Sequence, residues 1–391
     1  MSAMPRPVSE KSTSSATSHP LPREKVSPFV HRHGRRCLRD ASTYPLPVDL
    51  SELNRHNIRT LLLMQVFGAP FCSNFSEGPR KILEVACGSA MWSSSCHQYL
   101  RREGYGNVSF TGIDIAPIAP DLRKHGVDWR FVQHDMRKSP LAFDDAKFDF
   151  IFVNNEFILV GDDASFNPIN ALARHLKPGG TMEVWRTDLQ YRSLQPDPPV
   201  AIGAKAMVAD QAERTATYTI GAATPLTNAQ NAHLQDCNVW IEKALKKFGL
   251  TAAPCAIISF DFSTSEPGLY SETNSRRIAI PFGPIRWESE YVVTKLSTYR
   301  VSGGGKGVRR PSATVRKRPF LTPDQAALRR TALEVAIDFI ESMEPLLMEE
   351  SGKTSDEWDR WWANLNTDLL EKDGTLNGEC LELGAWWACK A

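Results

Sequence analysis

Short apolar runs alternate with amphipathic stretches between residues 81 and 185. The runs have the length and composition of buried parallel strands. The predicted strands are 81–85, 107–113, 129–133, 148–153 and 181–185. The predicted helices are 91–102 and 169–176, the second ending at 177–180 (Lys-Pro-Gly-Gly), where proline and glycine cannot continue it. This alternation predicts right-handed βαβ crossovers and a parallel sheet.

The segments before this core have a different composition. Residues 1–28 are rich in Ser, Pro and charge, and we expect disorder there because little apolar surface offsets the ordering entropy. Residues 31–50 are basic and then punctuated by prolines, which predicts an ordered arm. The arm leads into a helix that begins after Asp49 or Ser51 as the N-cap.

Beyond residue 190 the alternation loosens, and residues 192–232 look polar and irregular. The later pattern predicts a helix over 239–249, a sixth strand over 255–262, helices over about 323–350 and 355–371, and a last strand over 379–389. The chain therefore divides into a tail (1–28), an arm and helix (29–78), a core (79–190) and a C-terminal half that completes the sheet (191–391).

Composition narrows the class of protein. The net charge of +1 argues against direct nucleic-acid binding and against binding to a membrane surface. No run reaches the roughly 18 to 20 apolar residues that span a bilayer. The eight cysteines form no C-x-x-C pair, so we predict no metal site. Scattered cysteines without a signal sequence favour a cytoplasmic or nuclear protein.

The turn between the first predicted strand and its helix consists of small residues. It runs Glu84-Val85-Ala86-Cys87-Gly88-Ser89-Ala90. Small residues let a ligand approach the backbone closely, and the helix N-terminus faces the polar end of that ligand. A plain strand-to-helix connection and a dinucleotide-binding turn remain alternative interpretations of this segment alone.

Polar residues also end the next strands. Asp114 ends the second strand and can accept hydrogen bonds from both hydroxyls of a ribose. Asp135 follows the third strand, where an acid can meet an adenine amino group, and Asn154 ends the fourth. Together with the turn after the first strand, four successive strand ends carry groups that can meet a ligand, which predicts one ligand crevice at this edge of the sheet.

These residues resemble the acidic-x-Gly-x-Gly-x-Gly signature of class I S-adenosylmethionine methyltransferases. Ala86 and Ala90 stand where that family usually has glycine, and an alanine fits the turn where its φ is negative. The Lys-Pro-Gly-Gly segment resembles the turn before the family's fifth strand. A dinucleotide dehydrogenase is the competing interpretation, but it typically has G-x-G-x-x-G with an acid about 20 residues on, whereas Asp114 lies 26 residues beyond Gly88.

The resemblance implies a Rossmann-like α/β fold with a seven-stranded sheet, helices on both faces and a helical insertion before the last strand. It also implies a methyltransferase (EC 2.1.1.-) with S-adenosylmethionine as its cofactor, and we expect the arm and the C-terminal half (191–391) to cover the acceptor site. The expected cofactor residues are Glu84, Ala86, Cys87 and Gly88 at the methionine end, Asp114 and Ile115 at the ribose, Asp135 and Met136 near adenine, and Asn154 beside the crevice. No catalytic base can be named from the sequence.

The flanks resemble a narrower group, the LaeA-like fungal methyltransferases. The matching segments are Gly34-Arg35-Arg36, the arm from Tyr44 to Arg55, Trp240 with Gly249, and Ile280-Pro281-Phe282-Gly283. This resemblance implies a link to fungal secondary metabolism or development. Two functions stay open: an enzyme with a small-molecule or protein methyl acceptor, and a regulatory protein in a nuclear complex with weak or no catalysis.

Two other features have two interpretations each, and a third bears on the substrate class. The loop 300–318, with seven positive charges and four glycines, is a nuclear import signal or an ordinary solvated segment. The tryptophans near the C-terminus line a pocket or, as we favour, pack a helix onto the sheet. Residues 154–157 (Asn-Asn-Glu-Phe) lack the prolines found there in amino-methylating enzymes.

Overall fold

The computed structural model describes residues 27–39, 44–75, 77–136, 138, 140–141, 143–154, 168–196, 198, 206–221, 224–266, 268–271, 273–288, 321–372 and 374–391. Three sequence predictions concern residues outside these ranges. They are the disorder of residues 1–26, the basic loop 300–318, and the segment 155–157.

Twelve strands and nine α-helices are assigned in the described ranges. The strands are β1 Phe29–Arg32, β2 Arg35–Leu38, β3 Lys81–Val85, β4 Ser109–Asp114, β5 Asp128–Gln133, β6 Phe148–Asn154, β7 Leu176–Thr187, β8 Arg192–Leu194, β9 Tyr218–Ile220, β10 Leu226–Asn228, β11 Asn274–Pro281 and β12 Glu379–Cys389. The helices are α1 Leu50–Phe67, α2 Met91–Arg102, α3 Pro168–Ala173, α4 Ala206–Arg214, α5 Ala232–Lys246, α6 Pro254–Ser263, α7 Pro323–Ser342, α8 Glu344–Ser351 and α9 Ser355–Glu371.

Seven strands form the central sheet in the order β5-β4-β3-β6-β7-β12-β11. Strands β3 to β7 are parallel, whereas β12 runs antiparallel to both of its neighbours, β7 and β11. The short strands β8, β9 and β10 extend this sheet. Helices α7 to α9 lie in the chain between β11 and β12. The predicted fold class, including the helical insertion before the last strand, is confirmed.

Alternate residues of the central strands supply two hydrophobic cores. On β6, Phe150 and Phe152 belong to one core and Ile151 and Val153 to the other, and all four are buried. Side chains of a strand point alternately to its two faces, so a strand that is apolar at every position requires cover on both sides. On the first face, Trp92 of α2 stacks on Phe152 with ring centroids 3.9 Å apart.

The segment 255–262 is a helix, α6, so the predicted sixth strand there is wrong. Its isoleucines and phenylalanines gave it a strand-like composition. Pro254 occupies the first turn of the helix, and Cys255, Ile258 and Phe262 are buried at helical spacing. The sixth strand of the central sheet is instead β11.

Other predicted element boundaries also differ, including that of the helix expected over 239–249, which is α5 at Ala232–Lys246. The helix expected over 169–176 ends at Ala173, and the Lys-Pro-Gly-Gly segment lies within β7. The helix expected over 323–350 is interrupted at Met343, because Pro345 lacks the N–H that would continue the hydrogen-bond ladder. Residues 192–232, expected to be irregular, contain β8, α4, β9 and β10.

The tryptophans near the C-terminus pack in the interior. Trp358 and Trp361 of α9 pack against Trp240 of α5, with Trp240 and Trp361 ring centroids 4.8 Å apart. Trp386 of β12 is fully buried on the other face of the sheet. These positions agree with the interpretation that the tryptophans pack in the core and do not line a pocket. Among the described helices, none has the length and hydropathy needed to cross a bilayer.

Candidate functional site

The turn after β3 has an unusual backbone conformation. Ala86, Gly88 and Ala90 all have positive φ, at 55°, 50° and 57°. The condition under which alanine was expected to fit this turn, a negative φ, is therefore not met at either position. A left-handed conformation costs a non-glycine residue roughly 1–2 kcal/mol, so the fold holds both alanines in a conformation that glycine adopts more readily. The three positions coincide with the glycine positions of the signature described above.

Asp114, at the end of β4, is hydrogen bonded to this turn. Its Oδ2 accepts from the Gly88 N–H at 2.8 Å, and its Oδ1 accepts from the Ala116 N–H at 2.8 Å. Burial raises the pKa of Asp114, although these two hydrogen bonds stabilise the charged form. Each carboxylate oxygen has a second lone pair with which it can accept a hydrogen bond from a ligand hydroxyl.

The turn and the ends of β4 and β5 form one wall of a cleft. Six of the nine predicted cofactor residues line it, namely Ala86, Gly88, Asp114, Ile115, Asp135 and Met136. The cleft lies where β4 and β6 flank β3 on opposite sides, which is the switch point at which open α/β sheets bind ligands. The structure therefore brings these six residues together.

The other three predicted residues lie outside this lining. Glu84 is buried, and its carboxylate accepts from the Ser93 hydroxyl at 2.5 Å and from the Ser93 N–H at 3.2 Å, which fixes the first turn of α2. Burial raises the pKa of Glu84 to about 8. Cys87 is buried behind the turn. The Asn154 Oδ1 accepts from Arg59 at 2.9 Å.

The opposite wall of the cleft comes from the arm and α1. Its residues are Leu38, Tyr44, Pro47, Val48, Glu52, Leu53 and His56, with Ala116 and Ile118 beside them. The sequence analysis did not assign these residues to the site. The arm was expected to cover the acceptor, but no spacing pattern in the sequence distinguishes His56.

The arm is attached to the start of α1 by charged hydrogen bonds. Arg35 donates to both Asp49 oxygens, at 2.5 and 2.9 Å, and Arg36 donates to the Val48 carbonyl at 2.7 Å. Asp49 also caps α1 by accepting from the Glu52 N–H. Burial raises the pKa of Asp49, but the Arg35 and backbone hydrogen bonds outweigh it, so the pKa lies below its usual value.

A buried ion pair joins α1 to the C-terminal helices. Arg55 donates to both Glu52 oxygens, at 2.7 and 2.9 Å, and both side chains are almost fully buried. Ser342 of α7 donates to Glu52 at 2.7 Å, and the Arg55 guanidinium lies 5.3 Å from the Phe339 ring centroid. Breaking such a pair leaves an uncompensated buried charge, so this contact fixes α1 on α7.

Two buried arginines lie near the ends of β6 and β7. Arg59 donates to Thr187 at 3.1 Å as well as to Asn154. Arg186 donates to the Trp185 carbonyl at 2.8 Å, and burial together with the nearby Arg59 charge lowers its pKa to about 9. The ends of β6 and β7 therefore hold two buried guanidinium groups.

One group in the described part of the chain has metal-ligand atoms close together. Asp188, Cys255 and Glu382 are buried, with one candidate ligand atom from each within 4.8 Å of the others. Burial, and then the Glu382 charge, raises the pKa of Asp188 to about 6. Arg192 contacts both carboxylates, and Arg277 contacts Glu382. The two cations balance the two acids, so the group is an ion-pair network.

The lining of the cleft suits an adenosyl ligand in its chemistry. A Cβ placed on Gly88 would make ordinary van der Waals contact with His56, at 3.8 Å, so a methyl-sized group fits between this residue and the turn. Asp114 offers carboxylate oxygens for ribose hydroxyls, and Ile115 and Met136 offer apolar surface for a base. Gly112 is needed behind the turn, because a Cβ there would lie 2.2 Å from the Trp129 ring.

Comparisons with known proteins agree with this site. Residues 82–180 match the family described as "Methyltransferase domain". No curated protein matches the chain. The family match covers β3 to the start of β7, including the turn and the ends of β4 and β5 that line the cleft. Residues 82–180 are therefore similar to a methyltransferase domain.

Several solved structures resemble the chain at low identity. The PH0226 protein of Pyrococcus horikoshii is 24% identical over 38% of this chain and 63% of its own, with a TM-score of 0.25. A phosphoethanolamine N-methyltransferase 2 of Haemonchus contortus is 10% identical over 85% and 58%, with a TM-score of 0.36. The YcgJ protein of Bacillus subtilis is 13% identical over 86% and 98%, with a TM-score of 0.34. The chain spans less than two thirds of the first two.

Proposed function

We propose that this protein transfers the methyl group of S-adenosylmethionine to a small-molecule acceptor linked to fungal secondary metabolism or development. The observation that carries the proposal is the single cleft lined by Ala86, Gly88, Asp114 and Asp135. Three successive strand ends contribute to that lining, at the positions where the family signature places its cofactor residues.

The protein's part in such a reaction is mainly positioning. When bound, the cofactor supplies a methyl group on a positively charged sulfur, which any sufficiently nucleophilic O, N or S atom can attack. The arm and α1 cover the cleft, exclude water and orient the acceptor. The arm also supports the narrower assignment, since Arg35, Asp49, Glu52 and Arg55, four residues of the LaeA-like resemblance, make connected contacts there.

Calorimetry with four ligands tests the cofactor assignment. We expect S-adenosylmethionine and S-adenosylhomocysteine to bind, adenosine to bind more weakly, and NAD to show no binding. NAD is the comparison ligand because a turn of this type between a strand and a helix can also bind dinucleotides. NAD binding without S-adenosylhomocysteine binding would refute the proposal.

The acceptor and the biological role need a separate experiment. Deleting the gene and comparing metabolite and transcript profiles distinguishes an enzyme from a regulatory protein of a nuclear complex. Loss of one methylated metabolite, restored by the wild-type gene, supports the proposal. Broad transcript changes with every methylated metabolite retained would favour the regulatory role. We propose a cytoplasmic or nuclear location in either case.

A further inference from the structure

His56 faces the cofactor turn from the opposite wall of the cleft. It lies on α1, lines the cleft, and is partly exposed. Its Nδ1 and Cε1 atoms are the nearest neighbours of a Cβ placed on Gly88, at 3.8 and 3.9 Å. The space between this imidazole and the turn is therefore about the thickness of one ligand group.

The cleft is lined by other titratable side chains, but their positions or contacts differ from those of His56. Glu52 is held by Arg55 and Ser342, and Asp114 by two backbone N–H groups. His134 follows β5, at the end of the cleft assigned to adenine, and its Nε2 lies 2.9 Å from the Lys138 carbonyl. Tyr44 and Asp135 are the remaining titratable residues that line the cleft. Of these groups, His56 is the one whose ring lies against Gly88.

We propose that His56 is a catalytic residue that takes up the proton lost by the methyl acceptor. This inference rests on the proposed function. When the cofactor is bound, its carbon–sulfur bond breaks with both electrons going to sulfur, while an acceptor O or N atom forms a new bond to the methyl carbon. The acceptor's proton moves to His56 Nδ1 and from there to solvent. An imidazole suits this role because it takes up and releases a proton near neutral pH.

The proposal assigns the substrate class. The acceptor carries an O–H or N–H group that must lose its proton during transfer. A thioether or tertiary amine has no such proton, so transfer to it needs no base. The acceptor class is therefore a hydroxyl or amine compound.

Histidine NMR on the full chain tests the position of His56 without an acceptor. S-adenosylmethionine and S-adenosylhomocysteine differ only by the methyl group and its positive charge. We expect the His56 ring signals to differ between these two complexes and those of His134 to be the same in both. Identical His56 signals in the two complexes would overturn the proposal. If neither ligand shifts any histidine signal and calorimetry shows no binding, the proposed function itself fails.

Methyl transfer from labelled cofactor tests the proton step. The probes are a panel of simple phenols and primary amines, with a dialkyl thioether as the comparator that has no proton to lose. We expect His56→Gln to slow transfer to phenols or amines by roughly a hundredfold or more, while its affinity for S-adenosylhomocysteine stays within about threefold. The matched control is His97→Gln, on α2 outside the cleft lining, which we expect to retain the wild-type rate. An undiminished rate in His56→Gln, or thioether methylation in preference to phenols and amines, would contradict the proposal.

Discussion

The backbone N–H of Gly88 donates a 2.8 Å hydrogen bond to the carboxylate of Asp114. This bond connects the turn after β3 to the end of the neighbouring strand β4. Because Asp114 also accepts from Ala116, the same carboxylate fixes the backbone on both sides of the predicted ribose position. Cofactor binding and the shape of the turn therefore depend on one side chain.

Replacing Asp114 tests this dependence. We expect Asp114→Ala to weaken S-adenosylhomocysteine binding by about tenfold to hundredfold, since charged hydrogen bonds are each worth roughly 1.5–3 kcal/mol. Calorimetry measures the change. The control is Asp128→Ala, an exposed residue at the start of β5. Equal affinity for wild type and Asp114→Ala would show that this carboxylate does not hold the ribose.

The left-handed alanines predict an unusual response to glycine. Ala86→Gly relieves a positive φ at a partly exposed site, and we expect it to raise the free energy of unfolding by roughly 0.5–1 kcal/mol. Ala90→Gly relieves the same strain but removes a fully buried methyl group, so we expect little net change.

Urea denaturation measures both effects. The control is Ala327→Gly at an exposed position inside α7, which should lower the free energy of unfolding by about 1 kcal/mol. A loss of stability in Ala86→Gly as large as that in the control would mean that the alanine is not strained.

The buried Glu84 carboxyl predicts a stability change with pH. Its folded-state pKa of about 8 lies above the ordinary value of 4.5, so the folded protein retains a proton that the unfolded chain has lost. The contribution of Glu84 to the free energy of unfolding is therefore complete below about pH 4.5, and it is lost as the pH rises towards 8. Glu84→Gln keeps a neutral hydrogen-bonding side chain at every pH.

Unfolding free energies of wild type and Glu84→Gln between pH 5 and 8 test this sign. We expect the free energy of unfolding of the wild type to fall relative to that of Glu84→Gln as the pH rises. Glu103→Gln, an exposed residue after α2, should show a constant difference from wild type. A difference that is also constant for Glu84→Gln would mean that Glu84 is ionised in the folded protein throughout this range.

The arm should contribute to cofactor affinity. Arg35→Gln removes both hydrogen bonds to Asp49, and we expect S-adenosylhomocysteine affinity to fall by about threefold or more, because the arm forms a wall of the cleft. Arg123→Gln removes a comparable pair with Asp121 at the exposed 3-10 helix 122–125, and it should leave the affinity unchanged.

Two substitutions separate the roles of Asp49. Asp49→Asn removes the ion pair but keeps a good helix cap, whereas Asp49→Ala removes both. We expect the alanine variant to be less stable than the asparagine variant by about 1 kcal/mol in urea denaturation. Equal stability of the two would mean that the cap contributes nothing measurable to α1.

The parallel core was predictable because its apolar runs end at recognisable residues. Gly88, Asp114 and Asn154 each follow a run that is apolar enough to need cover on both faces. The segment 255–262 was misassigned for a related reason, since Ile257, Ile258 and Phe260 favour strands by composition. Only packing against the sheet shows that Ile257 and Phe260 face outwards on a helix.

The site was only partly predictable. Residues at the ends of neighbouring parallel strands lie close together, and this does not depend on how the rest of the chain packs. Asp114 and Asp135 could therefore be assigned to the same site. His56 and Leu38 reach the same cleft through tertiary packing of the arm and α1, which leaves no spacing signal in the sequence. The positive φ angles of Ala86 and Ala90 could not be predicted from the sequence, because residue type indicates a conformational preference and not the conformation that a turn imposes.

The position of β12 between β7 and β11 has a consequence for biosynthesis. Of all the described strands, β12 is translated last, yet it fills the gap between strands made about 200 and 100 residues earlier. Until it emerges from the ribosome, both neighbours present open hydrogen-bonding edges that can pair with other chains. Slow translation of the codons for β12, or truncation within residues 379–389, should therefore promote aggregation far more than a comparable delay or deletion upstream of β3.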